Sequence, residues 1–188
     1  MKKGFEFERF FYNIRYRRDR YRQFVGFMFI LIVSAAGKPS GGLFALGAVI
    51  ALLGESIRMW ASGHIKKDKA LATDGPYASV RHPLYVGNIL LGIGFSLACG
   101  LWWAAPVYIL ILLFFYPHAI RREDEKLHRL FGENWENWSR NTRALIPKVP
   151  EKGAAGGQWS FYQSLRQNGE PIIALIMLAC LYFLYIRL

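Results

Sequence analysis

The run Arg81-His82-Pro83-Leu84-Tyr85-Val86-Gly87 sets a guanidinium and an imidazole directly ahead of a proline that opens an apolar stretch. Proline suits the first turn of a helix, where its missing N–H is not needed, so a helix is predicted to begin at Pro83. The free N–H groups of such a turn carry partial positive charge. With Arg81 and His82 beside them they form a site for an anion, either a carboxylate on a ligand or simply a lipid phosphate. Just upstream, Gly75-Pro76-Tyr77 reads as a tight turn, because Gly75 tolerates unusual dihedrals and Pro76 fixes one. A second polar cluster, Arg121-Arg122-Glu123-Asp124-Glu125, follows another apolar stretch and leads through Leu127 and His128 to Phe131-Gly132 and to Trp135 and Trp138. Three consecutive acids at the end of an apolar helix need a partner or a task.

The elements that must position these clusters are membrane helices. The chain has 188 residues, 53% of them hydrophobic, yet a formal net charge of +11. The two tendencies are segregated along the chain, which is the pattern of an integral membrane protein. A hydrocarbon core of roughly 30 Å asks for about 20 apolar residues per helical span, and backbone inside lipid must satisfy its own hydrogen bonds, which makes those stretches helical. Spans are predicted at about 24–36, 43–61, 83–99, 101–116 and 171–186, with a possible kink at Pro117 and a polar helical extension over 121–130. Glu55 and Arg58, at helical i, i+3 spacing, can neutralise each other near the edge of the second span. The expected fold class is all-α, a polytopic bundle of about five transmembrane helices. Its divisions are a basic aromatic arm over 1–22, a four-helix core over 23–147, a Gly- and Pro-containing linker over 148–169 and a last helix over 170–188.

Lys and Arg crowd the segments before the first span, between the second and third, and between the fourth and fifth. The positive-inside tendency therefore predicts a cytoplasmic amino terminus and polar clusters on the cytoplasmic face, in what reads as a bacterial inner membrane. The arm, with Phe7, Phe10, Phe11 and Ile14 among six arginines, suits anionic lipids. A nucleic-acid partner is not expected, since the membrane already accounts for the charge. The amino terminus lacks the form of a cleaved signal, so the first span is expected in the mature protein. Cys99 and Cys180 lie in apolar spans and are read as small filler. The four histidines show no ligand spacing, and no metal is expected. His64 and His128 are read as interfacial and structural.

The two clusters together resemble the isoprenylcysteine carboxyl methyltransferase and phospholipid methyltransferase superfamily: Gly75-Pro76-Tyr77, the arginine-histidine-proline-x-tyrosine element 81–85 with Gly87, then the acids, Leu127, Phe131-Gly132 and Pro147. The resemblance spans about 43–147. It implies S-adenosylmethionine-dependent methyl transfer at the cytoplasmic membrane surface to a lipophilic acceptor, a prenylcysteine-like or other lipid carboxylate or a phospholipid amine. On it, Tyr77, His82, Tyr85, Gly87, Glu123 and Asp124 are expected to bind the cofactor, with Arg81 and Glu123 in catalytic roles. Asp124 stands where the family has a second glutamate, and Trp135 and Trp138 where it usually has tyrosines. Two other readings compete, an NADPH-dependent membrane reductase of the sterol-reductase type and a non-catalytic lipid-binding scaffold. The family pattern does not account for the helix after residue 170, which could pack on the core, form a dimer contact or shield a lateral entrance.

Overall fold

A computed structural model describes residues 21–65, 70–150 and 156–188. All but the last two residues of the basic arm, and residues 151–155 of the linker, lie outside these. The described residues are helical: α1 (Tyr21–Ala36), α2 (Gly41–Ser62), a 3-10 turn (Gly75–Ala78), α3 (Pro83–Ala98), α4 (Ala104–Phe131), α5 (Glu133–Asn141), the short α6 (Phe161–Gln163) with a π-turn over Ser164–Asn168, and α7 (Glu170–Tyr185). Proline occupies the first turn of both α3 and α7, and α4 runs through Pro117 as one helix of 28 residues.

Two of these helices, α2 and α4, are long and apolar enough to cross a bilayer, while α1, α3 and α7 are shorter apolar helices. Length alone does not separate a membrane span from the core helix of a soluble protein; burial does. Only 22% of the most apolar window of α2 and of α4 is buried. Leu46, Val49 and Leu53 on α2, Leu110 and Leu113 on α4, and Leu175 and Tyr182 on α7 are all exposed. Water would not tolerate so continuous an apolar belt, whereas lipid does.

Inside lipid the helices gain little from hiding apolar surface from one another, so close packing and polar contacts must hold them. The contact of α2 with α3 is built on glycine. A side chain at Gly47 would strike the backbone of Gly94 and Ala98, and one at Gly54 would strike the Gly87 carbonyl and the Leu91 amide. Two glycines seven residues apart on each helix thus let the backbones touch. At Gly92 the space is taken by the ring of Tyr108 from α4, whose hydroxyl donates to the Asn88 carbonyl at 2.7 Å. Around this pair, Phe29 and Val33 of α1, Leu91 and Phe95 of α3, Tyr108 of α4 and Met177 and Leu184 of α7 form a single apolar core.

The bundle alternates up and down. At one end the Lys38 amide donates to the Cys99 carbonyl at 2.8 Å and Arg187 Nη1 to the Ala35 carbonyl at 2.7 Å, so the α1–α2 turn, the α3–α4 turn and the end of α7 meet. The polar clusters gather at the other end. There the stretch leading into α3 is held by an irregular strand-like partner: the Arg81 and His82 amides donate to the carbonyls of Arg143 and Ala144, and the Lys148 amide to that of Ser79.

Candidate functional site

His82 sits immediately before α3, with its backbone tied to Ala144 and its carbonyl accepting from the amides of Tyr85 and Val86. Its ring is almost fully buried. Nε2 lies 3.0 Å from Asp124 Oδ1, and because a carboxylate only accepts, this nitrogen carries the proton. Asp124 Oδ2 accepts from Arg81 Nη2, also at 3.0 Å, and Arg81 Nη1 reaches the Ser139 carbonyl at 3.3 Å. One aspartate thus fixes both the guanidinium and the imidazole that open α3. The Asp124 side chain holds Arg81 and His82 rather than facing the cavity.

Glu123, one residue earlier and about 100° around α4, points into the bundle instead and accepts from the Tyr85 hydroxyl at 2.5 Å. Tyr85 stacks on His82, with ring centroids 5.3 Å apart and planes at 14°, and meets Tyr116 edge-on. The guanidinium carbon of Arg22, from the first turn of α1, lies 4.2 Å from the Tyr85 ring centroid and 5.9 Å from that of Tyr116. Tyr77 is buried in the 3-10 turn, and its carbonyl accepts from Trp138 Nε1 at 3.3 Å. Burial, and then the negative charge of Glu123, push the Tyr77 phenol well above its ordinary pKa, so it stays neutral. Trp135 lies beside Arg81, 5.9 Å from ring centroid to guanidinium carbon.

These residues face a cavity of about 890 Å³. Tyr77, Arg81, His82, Tyr85, Glu123 and Trp138 line its polar end, and Leu91, Ile111, Ile173 and Met177 its apolar depth. Of the residues expected from the sequence, Asp124 stands behind Arg81 and His82 rather than on the wall, and Gly87 faces Gly54 and the side chain of Arg58 in the α2–α3 contact. Gly87 therefore serves helix packing. His128 is exposed and pairs with Glu136 at 2.7 Å, whereas His64 is buried with Nδ1 3.4 Å from Asp74.

Sequence reasoning missed the walls supplied by α1 and α7. Arg58 does lie 3.8 Å from Glu55, but its close partner is Glu170, at 2.6 Å from Arg58 Nε and 2% exposed; Arg58 Nη1 also donates to Asn88 Oδ1. Arg58, Asn88 and Glu170 all line the cavity. The available signal was an acid directly before Pro171 and an asparagine within an apolar helix, both costly in lipid unless paired. The linker is anchored as well: Trp159 Nε1 donates to the Met59 carbonyl at 3.1 Å, and the Ser62 and Ser164 hydroxyls lie 2.6 Å apart.

Among the described residues, the side-chain donors shut off from solvent without an acceptor include Arg22 Nη1, Arg81 Nε and Trp135 Nε1. Each such orphan costs about 1–3 kcal/mol. Arg22 and Arg81 belong to the cavity wall. The cavity therefore offers hydrogen bonds to an anion beside a carboxylate, Glu123, that can receive a cation or hydroxyls. An amino-acid zwitterion carrying a ribose fits Arg81 with Glu123, which leaves the Arg22 donor for a second anion.

Part of the chain is similar to known proteins. Residues 44–129 match the model of the isoprenylcysteine carboxyl methyltransferase (ICMT) family. A protein-S-isoprenylcysteine O-methyltransferase of Schizosaccharomyces pombe is 29% identical over 127 residues, which are 67% of this chain and 54% of the relative. The nickel-cobalt-cadmium resistance protein NccN of Alcaligenes xylosoxydans xylosoxydans is 35% identical over 106 residues, 55% of this chain and 48% of that protein. The cobalt-zinc-cadmium resistance protein CzcN of Cupriavidus metallidurans is 38% identical over 111 residues, 55% of this chain and 47% of that protein. The chain spans about half the length of these curated relatives. No solved structure gives a significant match. Over the helices that carry Arg81, His82, Tyr85, Glu123 and Asp124, this integral membrane protein is similar to the isoprenylcysteine carboxyl methyltransferase family.

Proposed function

We propose that the protein is an S-adenosylmethionine-dependent methyltransferase that acts on a lipophilic acceptor drawn from the bilayer. The observation that carries the reading is the two-ended cavity, where a Tyr85–Glu123–His82 cluster adjoins an apolar depth bounded by α1, α3, α4 and α7. The family resemblance of this region supports it. When bound, the cofactor supplies a methyl group on a sulfonium, ready for direct displacement by an acceptor oxygen or nitrogen. Arg81, pre-set by Asp124 beside His82, receives the cofactor's carboxylate through its unpartnered Nε. Glu123 receives its ammonium or ribose hydroxyls, and the face of Tyr77 favours the positive sulfur. Such a displacement needs no metal; holding the two reactants in line and away from water provides most of the rate. We place the site on the cytoplasmic face of a bacterial inner membrane crossed five times, in accord with the concentration of basic residues at that end of the bundle.

Calorimetric titration of the protein in nanodiscs with S-adenosylmethionine, S-adenosylhomocysteine and NADPH tests this directly. Saturable binding of the first two, lost in His82→Ala while the protein keeps its helical circular dichroism, is the expected result. Binding of NADPH in their place would overturn the reading in favour of a reductase, and binding of none of the three would leave a scaffold.

A further inference from the structure

Resting on the methyltransferase reading, the geometry points to Arg22, at the start of α1, as the residue that receives the acceptor's carboxylate. The other arginines around the site are engaged elsewhere or turned away. Arg81 is held by Asp124 and the Ser139 carbonyl, and the cofactor's carboxylate takes its remaining Nε. Arg121 is 80% exposed and pairs with Glu125, and Arg143 is exposed and contributes its carbonyl to the Arg81 amide. Deeper in the wall, Arg58 is taken by Glu170 and Asn88.

Arg22 differs from all of these. It lines the cavity, and its guanidinium rests against the Tyr85 ring, whose hydroxyl binds Glu123, so it stands beside the group most central to the site. Contact with a ring does not by itself satisfy the N–H groups of a guanidinium. Nη1 is excluded from solvent and finds no acceptor among the described residues. A carboxylate carries two oxygens matched to that fork. The neighbouring wall, Phe27 and Ile30 one to two turns further along α1 with Ile173 and Met177 of α7, is apolar and suits the chain that follows such a head group.

Arg22 lies outside residues 44–129, so the family match assigns it no role. With one carboxylate oxygen held by Arg22, the other is left to form the bond to the methyl carbon as the carbon–sulfur bond breaks and its electron pair stays on sulfur. No proton needs to be moved.

The test compares N-acetyl-S-farnesylcysteine with its carboxamide as ligands for the protein in nanodiscs, for wild type, Arg22→Gln and Arg22→Lys, with S-adenosylmethionine affinity measured in parallel. Wild type is expected to bind the acid at least about tenfold more tightly than the amide, a preference that Arg22→Gln reduces below about twofold and Arg22→Lys keeps in part. Cofactor affinity should be unchanged in both variants. No acid preference in wild type, or an undiminished one in Arg22→Gln, would overturn the assignment. So would tighter S-adenosylmethionine binding by Arg22→Gln, since Arg22 would then be occupying the cofactor's cation seat. An acid preference that depends on Arg22, in a protein that binds no S-adenosylmethionine, would sink the proposed activity and leave the carboxylate site standing.

Discussion

At the scale of single residues, adjacent acids on one helix do different work. Glu123 and Asp124 look interchangeable in the sequence, yet a rotation of about 100° per residue sends one into the cavity and the other behind it. The chain alone gave both residues and placed them near Arg81 and His82, because acids on a basic face require partners. It could not divide them, since that depends on the rotation of α4 relative to α3. The division has a consequence for mutants. Asp124→Ala leaves Arg81 and His82 partly buried without their shared acceptor, and should lower stability in detergent by about 1–3 kcal/mol as well as weaken S-adenosylmethionine binding. Asp124→Asn, which still accepts hydrogen bonds, should recover part of both. His128→Ala should shift thermal unfolding by no more than about 0.5 kcal/mol, because the exposed His128–Glu136 pair contributes little in water. Thermal unfolding followed by circular dichroism reads all three, and a large loss in His128→Ala alone would show the polar end to be organised differently.

At the scale of elements, the packing of α2 on α3 and the docking of α7 follow separate rules. The glycines of α3 were visible as sites of close approach, but their partners Gly47 and Gly54 emerge only once the two helices are in register. Gly94→Leu must push against the α2 backbone and should cost about 1–3 kcal/mol or more, the range for overpacking. The docking of α7 could not be read from local pattern, because Glu170 and Arg58 are 112 residues apart. Their pair resolves what the last helix does: it packs on the core and closes one side of the cavity. Removing one partner of a buried pair strands the other, so Glu170→Ala should destabilise the protein by about 3–5 kcal/mol. The double variant Arg58→Met, Glu170→Leu, which removes both charges of the pair but takes Arg58 from Glu55 and Asn88, should recover part of that loss. Equal losses in the single and double variants would mean that the pair does not hold α7.

At the scale of the whole molecule, the five apolar helices run alternately between two ends of opposite character. Arg81, Arg122, Lys126, Arg129, Arg140 and Lys148 lie toward the end that holds the cavity mouth, while Lys38 and Arg187 lie at the other. That asymmetry was legible from the loops alone, since it needs only a count of charges between apolar stretches. The fit to the bilayer was less so: α1, α3 and α7 each span about 24 Å at 1.5 Å per residue, short of a core of roughly 30 Å. Where such a helix crosses, local thinning of the bilayer or tucking of the flanking turns must make up the difference. If all five cross, accessibility has to alternate. Single cysteines placed at the exposed positions Ser40, Thr73, Glu133 and Leu188, in a background lacking Cys99 and Cys180, should divide into two pairs toward a membrane-impermeant maleimide. Thr73→Cys and Glu133→Cys should react only from the cytoplasmic side, and Ser40→Cys and Leu188→Cys only from the opposite one. If Leu188→Cys reacted together with Glu133→Cys, α7 would not cross, and the cavity wall that it forms would have to be built from a helix lying within one leaflet.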